Sequence, residues 1–100
     1  MKSVQFHADA RAELLTEVLY YAKISPKLGE GLAAAVEQAT QLAAEFPDMG
    51  SPHKYGTRRV FPKKFPFSIV YLVRESDVYI LALAPFSRMP NYWGSRRHDV

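Results

Sequence analysis

Two apolar runs, Phe67 to Val73 (FSIVYLV) and Val78 to Ala84 (VYILALA), are separated only by Arg74, Glu75, Ser76 and Asp77. Runs of that length, rich in β-branched and aromatic residues and joined by a short polar turn, predict a β-hairpin. Neither run alternates with polar residues, so each strand needs cover on both faces. The hairpin is therefore expected at the centre of a sheet, with helices on one face and either the C-terminal tail or a partner chain on the other.

The rest of the chain supplies the helices. Lys2 to Phe6 alternates Val4 and Phe6 with polar neighbours, the period of a strand with one buried face. Asp9 can cap a helix running to about Ile24, with Leu14, Val18, Tyr21 and Ala22 along one face. Ser25 and Pro26 suit the cap and first position of a second helix, whose apolar face is Leu28, Leu32, Val36, Ala39, Ala43 and Phe46 and which Pro47 stops. Gly29 and Gly31 weaken its first turns. Residues 47–57 (PDMGSPHKYGT) have the composition of a loop. Arg58 to Pro62 predicts an edge strand with Arg58 and Val60 on one face and Arg59 and Phe61 on the other. One hundred residues build one core. The expectation is a single α+β domain over 1–100, β-α-α-β-β-β, with a helical hairpin on a curved antiparallel sheet. Leu14, Val18, Val36, Ile69, Tyr71 and Ile80 are expected in its core, as are Phe61 and Phe67.

Charge is unevenly spread. Residues 1–50 carry four basic side chains against seven acidic, a net −3, whereas residues 51–100 carry nine against three, a net +6. A basic C-terminal half suits phosphate or an acidic protein. Other classes are excluded or unsupported. Without cysteine there is no disulfide framework, thiolate nucleophile or zinc ribbon, and a cytoplasmic location is permitted. No apolar run approaches the ~18–20 residues of a membrane span, and MKSVQFHADARAELL has no leader pattern, so neither membrane nor secretion is expected. His7, His53 and His98 are too dispersed for a metal site, and no strand precedes Gly29 and Gly31 as a phosphate loop requires. Neither metal nor cofactor is expected.

What remains is a set of cations, Lys54, Arg58, Arg59, Lys63, Lys64 and Arg88, interleaved with Tyr55, Phe61, Phe65, Tyr92 and Trp93. Two chemistries use such a set. Metal-independent RNA cleavage needs cations against the charge on the pentacoordinate phosphate and a side chain that moves a proton from the 2′-OH. Recognition of nucleic acid or an acidic protein needs the cations and stacking surfaces alone.

Taken in order, LLTEVLYYAKISPKLGEGL, VEQATQLAAEFPDMG, GTRRVFPKKFPFSIVYLV and the ending VYILALAPFSRMPNYWGSRR resemble the ParE/RelE superfamily of type II toxin–antitoxin toxins over nearly the full length. The resemblance implies two helices on a curved antiparallel sheet, and a growth-inhibiting plasmid-stabilisation toxin neutralised by a cognate antitoxin whose extended and helical segment buries apolar surface. It further implies contact with operator DNA only through that antitoxin. RelE-like members cut mRNA in the ribosome; ParE-like members inhibit DNA gyrase without known nuclease chemistry. Arg59 and Arg88 match two of the RelE-like basic positions. The middle one is missing, since the segment reads Phe67-Ser68-Ile69-Val70-Tyr71, and Pro85 stands where many relatives have a histidine. The resemblance thus implies a ParE-like gyrase inhibitor acting by binding, with Arg58, Arg59, Lys63, Lys64, Arg88 and Trp93 as target-binding residues. Its alternative is a ribosome-dependent mRNA endonuclease using Arg59 and Arg88 for charge and Tyr92 for proton transfer.

Overall fold

In the computed structural model, which describes residues 1–99, strand β1 (Ser3–Phe6) leads into helices α1 (Ala8–Ile24) and α2 (Pro26–Glu45). Strands β2 (Ser51–Pro52), β3 (Arg58–Val60), β4 (Phe67–Val73) and β5 (Asp77–Pro85) follow, with short 3-10 turns at Pro47–Met49, Lys54–Gly56 and Gly94–Asp99. The five strands form one sheet in the order β1-β5-β4-β3-β2. Pairing is antiparallel from β5 to β2. β1 departs from the antiparallel expectation: it runs parallel to β5, Val4 beside Val78 and Phe6 beside Ile80. β2 was expected as loop; two residues long and ending in Pro52, it carries no strand periodicity.

Helix α1 starts two residues earlier than Asp9 capping would give. His7 is the cap, its Nδ1 accepting the Asp9 backbone N–H at 3.0 Å while Nε2 lies 2.7 Å from an Asp99 carboxylate oxygen. An accepting Nδ1 leaves the ring proton on Nε2, so the imidazole donates to Asp99. Ser25 and Pro26 open α2 at the expected positions, but the Ser25 hydroxyl makes no capping hydrogen bond; its carbonyl takes the N–H groups of Leu28 and Gly29 instead. Gly29 does more than weaken the turn. It is buried where the helices touch, and a Cβ there would meet Ala22 Cβ at 2.8 Å and the Val18 carbonyl at 2.9 Å.

One core lies between helices and sheet, with Leu32, Val36, Phe67, Ile69, Tyr71, Val78 and Ile80 buried and Leu14 and Val18 packed half-buried against it. Phe61, expected inside, is 49% exposed because β3 ends at Val60 and the chain turns away. Leu28 and Phe46 are likewise exposed, lying at the two ends of α2 beyond the reach of the sheet. A second core lies on the far face, where Val70, Leu72, Leu81, Ala82 and Ala84 are covered by Trp93, itself 2% exposed. The protein's own tail is thus the second cover. No helix among the described residues is long and apolar enough to cross a membrane.

Both cores depend on two local devices. The hairpin turn is tied by Arg74, which donates to both Asp77 oxygens at 2.6 and 2.7 Å, and this hydrogen bonding holds the Asp77 carboxyl below its usual range. The loop after α2 is tied by Tyr71, whose hydroxyl donates to the Pro47 carbonyl at 2.8 Å and accepts the Gly50 N–H at 3.2 Å. A Cβ at Gly50 would collide with that phenol. Gly50→Ala is expected to cost about 1–3 kcal/mol, the range for overpacking, and Tyr71→Phe about 1–3 kcal/mol through the unpaired Gly50 N–H and Pro47 carbonyl. Urea unfolding of the two variants checks both values.

Candidate functional site

The site is built on an irregularity in β5. Val70 pairs with Ala82 but Tyr71 pairs with Ile80, so Leu81 is an extra residue, a β-bulge. The bulge sends consecutive Leu81 and Ala82 to the tail-covered face. It also turns the Leu81 carbonyl and Leu83 N–H toward the edge of β5 that β1, ending opposite Ile80, no longer covers. Side chains take over there. Glu13 of α1 accepts the Leu83 N–H at 3.2 Å, and Arg96 donates to the Leu81 carbonyl at 3.0 Å. The two also form a fork-to-fork ion pair at 2.9 and 3.0 Å, with side chains only 14% and 12% exposed.

Tyr92 and Arg88 are held by the same carboxylate. The Tyr92 hydroxyl donates to Glu13 at 2.5 Å, and the Arg88 guanidinium lies 3.8 Å over the Tyr92 ring and 3.5 Å from Glu13. Burial, and then the hydrogen bond to and charge of Glu13, push the Tyr92 phenol far above its usual value; Arg96 and Arg88 pull the other way and lose. The phenol is thus committed as a donor to Glu13, an arrangement that runs against the proton-transfer role expected of Tyr92.

Beside this lock is a cleft of about 320 Å³ whose wall includes Lys54, Arg59, Ser68, Arg88 and His53. Arg59 pairs with Val70 in the sheet and so shares the far face, whereas its neighbour Arg58, opposite Tyr71, faces the helices. Among the described residues, Arg59 Nε is the buried side-chain nitrogen or oxygen left without a hydrogen-bond partner. His53 packs against Trp93 with ring centroids 5.6 Å apart. Burial, and then the charges of Arg59 and Lys54, push its imidazole below its usual value, which leaves it neutral at pH 7. The cleft's donors are cations, suited to an anion, and among the described residues no three carboxylates and imidazoles converge as a metal requires.

The expected target-binding residues are thus divided. Arg59 and Arg88 come together in the cleft. Arg58 is spent on structure, donating to the Asp48 and Gly50 carbonyls at 3.2 and 2.7 Å. Lys63 and Lys64 are exposed in the turn before β4, and Lys63 borders a different groove, of about 360 Å³, between α2 and β3. Trp93 is in the far-face core, where it holds the tail down rather than offering a surface. Sequence reasoning missed Glu13 and Arg96, which looked like ordinary surface charges, and His53, set aside because it matched no metal spacing.

Glu13→Ala leaves Arg96, the Tyr92 hydroxyl and the Leu83 backbone N–H without this partner, and breaking a largely buried pair costs about 3–5 kcal/mol. Urea unfolding measures that loss, and Trp93 emission should shift to the red as the tail loosens. His53 gives a pH signature. The unfolded chain takes up its proton near 6.5, the folded protein only at lower pH, so the unfolded state binds more protons and stability falls as pH drops through 6.5. His53→Gln should flatten that limb of the stability curve between pH 7 and 5.

Comparison with known proteins follows the geometry. No curated protein matches the chain. A chain of the solved structure "Chromosomal ParDE TA system from P. aeruginosa" is similar in fold, with a TM-score of 0.72 and 22% identity over 85% of this chain and 96% of that one. Residues 4–90 match the family model of the ParE toxin of the type II toxin–antitoxin system, parDE. With most of its length inside that model and with the matching fold, the chain belongs to the ParE toxin family of type II toxin–antitoxin systems.

Proposed function

We propose that the protein is the growth-inhibiting toxin of its module, that it acts in the cytoplasm by binding rather than by bond cleavage, and that its target is DNA gyrase. Membership in the family implies a cognate antitoxin as its partner. The observation that carries the binding reading is the state of Tyr92: the phenol beside Arg88 is fixed as a donor to Glu13 and held protonated. Ser68, buried at the position where the RelE-like pattern has an arginine, points the same way. What Arg59 and Arg88 offer is then a fixed positive field, which steers and holds an acidic partner without chemistry.

One observation favours a second reading. His53 is a neutral imidazole in the wall of the cleft that holds both arginines, so it could accept a proton from a ribose 2′-OH if mRNA entered. In that case the protein would be a metal-independent mRNA endonuclease with His53, not Tyr92, as its base.

Two assays on the purified protein separate these readings: gyrase supercoiling, and primer extension on a reporter mRNA in a translating bacterial extract. The expected result is inhibited supercoiling and intact mRNA, with inhibition weakened at least tenfold by Arg88→Ala and kept within about threefold by Tyr92→Phe. New translation-dependent 5′ ends that vanish in His53→Ala would replace the binding reading with the endonuclease.

A further inference from the structure

A helix lying on a sheet shows polar residues to solvent, and α2 does so with Lys27, Glu30, Glu37 and Gln41. α1 does not. Leu14 and Val18 pack on the core, yet Leu15, Leu19, Tyr20 and Ile24 are 54–60% exposed. A helix that is apolar all round is one that is covered all round, so the outer face of α1 calls for a second protein surface.

That face is graded in size along its length. Ala8, Ala12, Thr16, Tyr20 and Ile24 form one row of exposed residues at i, i+4 spacing, small in the N-terminal half and large in the C-terminal half. Beside Ala12 and Thr16 the low half deepens into a hollow of about 210 Å³ walled by Leu83 and Pro85. Charge is graded as well. Asp9 stands at one end, its side chain 66% exposed although Arg96 Nε lies 3.8 Å away, and the exposed Lys23 stands at the other. The remaining charges of α1 are turned aside: Arg11 lies over the Phe6 ring, and Glu13 and Glu17 are half-buried on the sheet side.

A surface that is low and acidic at one end, high and basic at the other, is complementary to itself run backwards. We infer that a second copy of this chain covers it, α1 against α1, antiparallel about a two-fold axis near Thr16. Ala12 and Tyr20 are equally far from Thr16 in sequence, as are Asp9 and Lys23, and Ala8 and Ile24. In the pair, Tyr20 of one copy is therefore level with Ala12 and its hollow on the other, Ile24 with Ala8, and Lys23 with Asp9, each contact made twice. Small side chains in the low half let the helices approach closely enough for the rows to interdigitate. The match of the face to itself is what selects a second copy over an unrelated chain. One helix pair buries less than the roughly 1,200–2,000 Å² of a standard interface, so the dimer is weak, with a Kd of about 10–100 µM. The inference rests on this helix face and stands apart from the choice of target.

Sedimentation velocity of the purified protein from about 1 to 500 µM should show monomer passing to dimer. Lys23→Glu and Asp9→Lys each set like charges level at both ends of the pair, and each should weaken self-association about tenfold or more. Mixed in equal amounts, the two variants meet with opposite charges at both ends, so the mixture should dimerise within about threefold of the parent. A damaged monomer cannot show that rescue. Asp9→Lys changes a helix start, so its fold is checked by circular dichroism, and a cross-link tests the same geometry without a change of charge. The chain has no cysteine, so Thr16→Cys adds a lone thiol. Near the two-fold it should oxidise to a disulfide-linked dimer about tenfold faster than Glu37→Cys on α2, whose thiol faces away from the pair. A parent that stays monomeric at the top of the concentration range overturns the proposal and leaves the face to another partner. A mixture that associates no better than either variant alone overturns it too, as does Glu37→Cys cross-linking as fast as Thr16→Cys.

Discussion

The exposed edge of β5 is the constraint from which the site follows. β1 is only four residues long, and the bulge at Leu81 turns two backbone groups toward the gap that β1 leaves. Unpaired strand edges are costly and invite pairing with other chains. The Glu13 and Arg96 side chains close this one, and closing it has three effects at once. The tail is fastened across the far face, Tyr92 is fixed in orientation and protonation, and Arg88 is laid over the Tyr92 ring. A largely buried ion pair is a poor source of net stability, since desolvation offsets most of its attraction. Its value here is in position: one carboxylate from the first helix sets the geometry of the last fourteen described residues.

Strand alternation then sorts the cations. Successive residues of β3 face opposite sides, so neighbouring arginines have different fates. Arg58 is consumed by the loop that Gly50 and Tyr71 pin together, and Arg59 emerges beside Ser68 and Trp93. The basic half of the chain is therefore less of a single patch than its net charge suggests. Arg74 and Arg96 belong to ion pairs, Arg88 lies 3.5 Å from Glu13, Arg58 goes to carbonyls, and the remaining field is concentrated at Lys54 and Arg59 on the far face and at Lys63 and Lys64 near the turn.

Much of the fold was legible because it rests on periodicity. The FSIVYLV and VYILALA runs, the stripe of Leu32, Val36 and Ala43, and the Ser25-Pro26 boundary each carry a local signal that tertiary packing confirms. What was illegible depends on register. A bulge leaves no mark in a run that is apolar throughout, so the special roles of Leu81 and Leu83, and with them of Glu13 and Arg96, could not be inferred. Asp9 is a better cap by type than His7, yet His7 takes the position because its ring is also fixed from the far end by Asp99, 92 residues away. Phe61 and Trp93 show the same limit in opposite directions. Alternation put Phe61 inside although its strand had ended, and the resemblance put Trp93 among target-binding residues although the second core needed a large cover. Arg59 and Arg88 were singled out because they carry their own charge; that they share a wall was not visible before the tail was folded back.

The far-face cover also alters how the family partner is best understood. Had the back of β4 and β5 been bare, burying it would have been a natural task for an antitoxin. Trp93 and Tyr92 already do it, within the same chain. Apolar surface still open is found elsewhere, along the outer face of α1 at Leu15, Leu19, Tyr20 and Ile24, and in the groove between α2 and β3 at Leu42, Met49 and Phe61. The α1 face lies apart from the cationic cleft, whereas the groove shares Arg59 with it. A partner in the groove would meet that arginine directly, and one on α1 would have to act on the cleft by shifting the tail that Glu13 holds. Because Tyr92, Arg88 and Arg96 share the Glu13 carboxylate, displacement of α1 would loosen all three together, so the cationic site is coupled to the tail that Trp93 and the His7–Asp99 contact also hold.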